Sequence, residues 1–155
     1  MSTPTPRWLD AQEQHAWRSY IEATTLLLDA LDRQLQHDAG IPHGYYEILV
    51  RLSEPADHTM RMSELADATR SSRSRLSHAV ARLEERGWIR RQDCETDRRG
   101  QLATLTDAGY AALGRAAPGH VAAVRSHVID RLSREQIDQL GEICDLVLAG
   151  LAGGS

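Results

Sequence analysis

A chain of 155 residues that is 41% hydrophobic, with 5% aromatics and no Phe, has apolar mass for one domain built on Leu, Ile, Val and Ala. Its formal charge is −4, from 22 acidic residues and 18 basic ones, all of them Arg. No apolar run approaches the about 18 residues of a membrane span. The start MSTPTPRWLDAQEQ has no secretory apolar core, and Cys94 and Cys144 stand in no metal-like spacing. No transmembrane helix is expected, and the chain reads as cytoplasmic and thiol-reduced.

Residues 1–7 read as a loose polar arm. From Leu9 to His37, Trp17, Tyr20, Ile21, Thr24, Leu28, Leu31 and Leu35 recur at three- and four-residue steps. This predicts a long helix with one apolar stripe, ended by Gly40 and Pro42. Such length in a small domain implies a second surface to pack on, in another subunit. Tyr45 to Leu52 predicts a short apolar helix, and Ser63 to Thr69 another with Ser63 as N-cap. Ser71 and Ser72 make a turn. Ser72 caps the next helix, which runs to Arg86 and stops at Gly87, with Leu76, Ala79, Val80 and Leu83 on its apolar face.

Trp88–Arg91 and Gln101–Leu105 predict two short strands around the polar turn DCETDRRG, a β-hairpin. Thr106 caps a helix opening with Asp107, a favourable charge at a helix N-terminus. Pro118-Gly119 is expected to kink or break it, with Val121, Val124 and Val128 resuming the stripe. Ser133 and Gln136 form a capping box for a last helix carrying Ile137, Leu140, Ile143 or Cys144, Val147 and Leu151. The AGGS tail reads as frayed.

Charge is distributed unevenly over these elements. From Arg70 to Arg99 there are nine arginines against five carboxylates, a local +4, so the remainder carries −8. A basic island in an acidic chain is the electrostatic footprint of a polyanion-binding face.

The segments MSELADAT, SSRSRLSHAVARLEERGWIRR and DRRGQLATLTDAGYAAL resemble, in order, the first helix, the recognition helix and the wing of the MarR family of bacterial transcriptional regulators. The Asp-x-Arg wing at 97 and 99, followed by Leu105-Thr106-x-x-Gly109, makes the resemblance specific, and it extends over nearly the whole chain. It implies a mainly α fold: a winged helix-turn-helix over 42–105, with dimerisation helices over 9–37 and 106–151, in a single domain of 1–155. It further implies a homodimeric repressor of a palindromic operator, a double-stranded inverted repeat, released by a small-molecule effector. DNA contacts fall on Ser72, Arg73, Ser74, Arg75, Ser77, His78 and Arg82 of the recognition helix and on Asp97, Arg98 and Arg99 of the wing. Arg99 resembles the family's minor-groove arginine, with Asp97 holding its guanidinium. Trp17, Tyr20, Tyr45 and Tyr46 are candidates for an effector pocket, with plain core as the alternative. Two departures stand out. Ser71 occupies a turn position that is usually apolar, and the first helix lacks the cysteine of the peroxide-sensing branch.

Other chemistry finds little footing. There is no Gly-rich phosphate loop, nucleophile elbow, HExxH or paired-carboxylate site, so no enzyme is expected and no cofactor is implied. The pairs His37/His43 and His120/His127 lack the close spacing of a zinc signature, so no metal ligand is assigned. A metal-responsive regulator of the same fold, or a winged helix used only for protein interaction, are the alternatives. Cys144 is expected in the core, and Cys94 to be an incidental thiol beside the wing.

Overall fold

A computed structural model describes residues 6–153, apart from the side chains of Arg98 and Arg99. Most of the expected N-terminal arm and the last two residues lie outside it. Helix α1 spans Ala11–Ala39, two residues later at each end than expected. Asp10 sets its start: Oδ1 accepts the N–H groups of Gln12 and Glu13 at 2.8 Å each, and Glu13 Oε2 accepts the Asp10 N–H at 2.9 Å. Gly40 ends it at φ +65°, in the left-handed region that glycine enters without penalty. Helix α2 covers His43–Ser53.

A three-residue strand, β1 (Thr59–Arg61), follows; the sequence pattern did not foreshadow it. Helix α3 is Met62–Ala68. Its N-cap is Arg61, not Ser63 as expected, because the Glu64 carboxylate reaches the Arg61 N–H at 3.4 Å and draws the first turn forward. The recognition helix α4 is Arg73–Glu85, capped by Ser72, whose Oγ accepts the Arg75 N–H at 3.2 Å. Gly87 (φ +74°) closes it, with Trp88 N–H donating to the Leu83 carbonyl at 3.0 Å.

Strands β2 (Ile89–Cys94) and β3 (Asp97–Leu105) are longer than expected, and the turn shrinks to Glu95-Thr96. Strand β3 lies between β1 and β2 in an antiparallel sheet. The register jumps from Asp93↔Gln101 to Cys94↔Asp97, so residues 98–100 bulge out of the ladder. Apart from Glu95-Thr96, the residues read as turn are therefore strand and bulge.

Helix α5 runs over Asp107–His127 with Pro118 inside, so of the expected kink or break the break does not occur. Packing overrides the proline: Ala116 and His120 are buried on either side of it, and Gly119 lies so close to α1 that a Cβ there would sit 3.0 Å from Asp38 Oδ2. A 3₁₀ turn (Ile129–Arg131) leads to α6 (Arg134–Ala152), opened by the expected Ser133–Gln136 box.

The core joins Leu35 of α1, Ile48, Leu49 and Leu52 of α2, Leu65 of α3, Leu76, Val80 and Leu83 of α4, and Ile89 and Leu105 of the sheet. The winged helix is thus one packed body, and α5 reaches it through Leu113 and Ala116. Helix α6 has no buried residue, so Cys144 is only partly covered rather than core.

Candidate nucleic-acid interface

On α4 the 3.6-residue period sends Leu76, Ala79, Val80 and Leu83 into the core. Arg73, Ser74, Arg75, Ser77, His78 and Arg82, with the cap Ser72, are left exposed on the opposite side. Seven of the ten expected DNA-contacting residues are therefore exposed around the part of α4 that the core leaves free. The N-terminal N–H groups of α4 and its helix dipole point out of the helix end along its axis, where they favour a phosphate.

Between this helix and the wing runs a cleft of about 510 Å³. Arg73 and Ser77 form one wall, Asp93, Asp97 and Gln101 the other, and Arg61 lines it as well. The Asp97 carboxylate folds back over the bulge, where a Cβ on Gly100 would meet its Oδ2 at 3.2 Å. Arg98 and Arg99 have their backbone in β3; their side chains lie outside the described residues. Arg61 was not anticipated, since it precedes the helix-turn-helix pattern. Its Nη2 donates to Thr96 Oγ1 at 3.2 Å and ties β1 to the wing turn.

The arginines divide by partner. Arg82 pairs with Glu85 at 3.1 Å, and Arg91 with Glu84 at 3.2 Å. Arg86 donates to the Gly40 carbonyl at 2.9 Å and lies over the Trp88 ring. Among the described residues, Arg73 and Arg75 form no ion pair, so their guanidinium donors face solvent at the helix N-terminus. Cys94 is buried on β2, where Thr96 Oγ1 lies 3.2 Å from its sulfur and holds the thiol below its usual range.

The four aromatic candidates are not brought together within one chain. Tyr46 is buried and Tyr45 partly so, whereas Trp17 and Tyr20 lie about half exposed on α1, their rings 6.4 Å apart. The reason is length: only the C-terminal half of α1 meets the core, and Trp17 lies about 21 Å along the helix axis from Leu31.

The histidines pair across the fold rather than along the sequence. His43 and His120 have ring centroids 5.5 Å apart, and the Tyr46 ring is 4.5 Å from His120. Among the described residues, no group of three or more His, Cys, Asp or Glu side chains could hold a metal. Burial, reinforced by His43, pushes His120 below its ordinary value of 6.5, while Glu47 opposes the shift. The folded state therefore favours neutral His120. Its contribution to stability is complete above pH 6.5 and is lost as pH falls from there toward the depressed folded value. Thermal melts should show this acid loss, and His120→Phe should flatten it; an unchanged profile would mean that other groups govern it.

The MarR family sequence model matches residues 39–100. The chain is 62% identical to Sco3205 of Streptomyces coelicolor, a MarR family transcriptional regulator crystallised in complex with DNA. The match covers 94% of this chain and 92% of that one, at a TM-score of 0.92. The chain belongs to the MarR family.

AbsC, another MarR family regulator of Streptomyces coelicolor, is 44% identical over 96% of this MarR-family chain and 99% of its own, at a TM-score of 0.90. The transcriptional repressor MprA of Escherichia coli is 31% identical over 112 residues, 72% of this chain. That match spans only 63% of MprA's length. Among the described residues of this MarR-family chain, no helix is long and apolar enough to cross a membrane.

Proposed function

We propose that this chain is a sequence-specific, double-stranded DNA-binding transcriptional regulator of the cytoplasm, acting as a homodimeric repressor on an inverted repeat. The observation that carries the reading is the N-terminus of α4, where exposed Arg73 and Arg75 stand beside a capped, dipole-positive helix end. Ser74, Ser77 and His78 join them on the face that enters the major groove. Arg99, with Asp97 ordering it, takes the adjacent minor groove, and Arg98 a phosphate.

Dimerisation is supported by apolar surface that one chain leaves uncovered. Trp17, Tyr20, Ile21 and Leu28 of α1 and Ile143, Leu146, Val147 and Leu151 of α6 are all exposed. Two such chains present two recognition helices and select a palindrome with half-sites roughly 10 bp apart. An effector pocket lined by Trp17 and Tyr20 would be completed by the second copy.

Selection of bound sequences from random DNA tests the reading. Arg75→Ala or His78→Ala should relax base preference at one position, at about 1–3 kcal/mol per lost base contact. Arg82→Ala should weaken all duplexes alike. The same motif recovered with both recognition-helix variants would refute base reading by these residues.

A further inference from the structure

We propose that Glu84 is a positioning residue for DNA recognition, fixing the wing at a set angle to the recognition helix through Arg91. The inference rests on the DNA-binding reading above. Glu84 lies in the last turn of α4 and Arg91 in β2, on opposite sides of the Arg86-Gly87-Trp88 corner. Both carboxylate oxygens are engaged by one residue. Oε2 accepts the Arg91 backbone N–H at 3.0 Å, and Oε1 accepts Arg91 Nη2 at 3.2 Å.

Strand β2 is at the edge of the sheet, bonded to β3 on one side only. Glu84 therefore supplies to the Arg91 N–H the acceptor that a further strand would offer. The two side chains are 38% and 24% exposed, enough shielding for charge-assisted bonds to keep a fixed geometry. These bonds hold the Glu84 carboxyl below the usual carboxylate range. The neighbouring Arg82–Glu85 pair is different. It lies within one helix, its side chains are 55% and 65% exposed, and it fixes no element against another.

The leverage is geometric. The chain turns from helix to strand through Gly87 in the left-handed region, a corner that its own side chain does nothing to brace. From Arg91 to the turn at Thr96 is about 17 Å of strand. A tilt of about 5° about Arg91 moves the wing tip by about 1.5 Å, enough to break hydrogen bonds to a groove while α4 stays docked. Glu84 thus acts on recognition without touching DNA.

The test compares the wild-type chain with Glu84→Ala and Glu84→Gln. Binding is measured on the selected operator and on random duplex of equal length, over a salt series, together with a thermal melt. Glu84→Ala should lower operator affinity about tenfold and leave random-duplex affinity and the salt slope unchanged, because no phosphate contact is lost. Glu84→Gln keeps an acceptor for the Arg91 N–H and should stay within about threefold of wild type. Tighter binding of Glu84→Ala to both duplexes would overturn the proposal in favour of simple charge repulsion. A lowered melt with an unchanged operator-to-random ratio would overturn it in favour of a purely structural role. A wild-type protein that prefers no duplex would overturn the regulator reading, and this proposal with it.

Discussion

Replacing Gly109 by alanine is expected to cost about 3 kcal/mol or more, at the upper end of what overpacking does. The first turn of α5 passes directly against the α4–β2 corner. A Cβ on Gly109 would fall on the Trp88 carbonyl and 2.7 Å from Leu105 Cδ1. Neither can yield cheaply. The Trp88 carbonyl already accepts the Thr106 N–H at 3.0 Å, and Leu105 is in the core. Thr106 binds the corner from both sides: its Oγ1 donates to the Gly87 carbonyl at 2.6 Å and accepts the Gly109 N–H at 3.1 Å. The melting temperature should fall by roughly 6–12 °C for a chain of this size. Gly114→Ala in the same helix is the control, since a Cβ there meets nothing within 4 Å. It should stabilise by roughly 0.5–1 kcal/mol. Equal melts for the two variants would show that α5 is not seated on the corner as described.

DNA affinity should fall by about 10³–10⁵ between 50 and 200 mM salt, the loss expected when a dimer neutralises about 6–10 phosphates. The supply of cations supports that range. Arg73, Arg75 and Arg82 are exposed on α4, Arg70 and Arg90 flank it, and every contact is made twice in a symmetric dimer. The acidic remainder of the chain sets the contrast. At a net −4 the protein as a whole is repelled by DNA, so binding depends on presenting one face. Titrations at several salt concentrations measure the slope directly. A slope near zero would mean that the arginines are not on phosphate, and the interface would have to be sought elsewhere.

The recognition helix was legible in the sequence because its signals are local. The Ser72 cap, four apolar residues at helical spacing and Gly87 lie within sixteen residues of one another. Strand β1 was not, since three half-buried residues carry no alternation and gain their partners only from Thr104, Ala103 and Leu102, some forty residues on. Pro118 gave a strong local signal that α1 packing overrode. The His43–His120 contact joins α2 to α5, and no spacing rule could have paired them. Of the site, the α4 face was readable from periodicity. The Arg61–Thr96 and Glu84–Arg91 ties were not, because each joins separate elements whose approach only the folded chain sets.

Helix α6 has nineteen residues and none of them is buried in its own chain. Helical stability in proteins comes mostly from packing an amphipathic face rather than from propensity. In the proposed dimer a second copy covers α6, so its folding is bimolecular and the free energy that holds it scales with the logarithm of protein concentration. Newly made chains at low abundance would carry this helix open to proteolysis, and accumulation would close it. Dosage and lifetime become linked: halving the amount of protein would shorten the survival of what remains, so the regulator's supply would respond more than proportionally to its rate of synthesis.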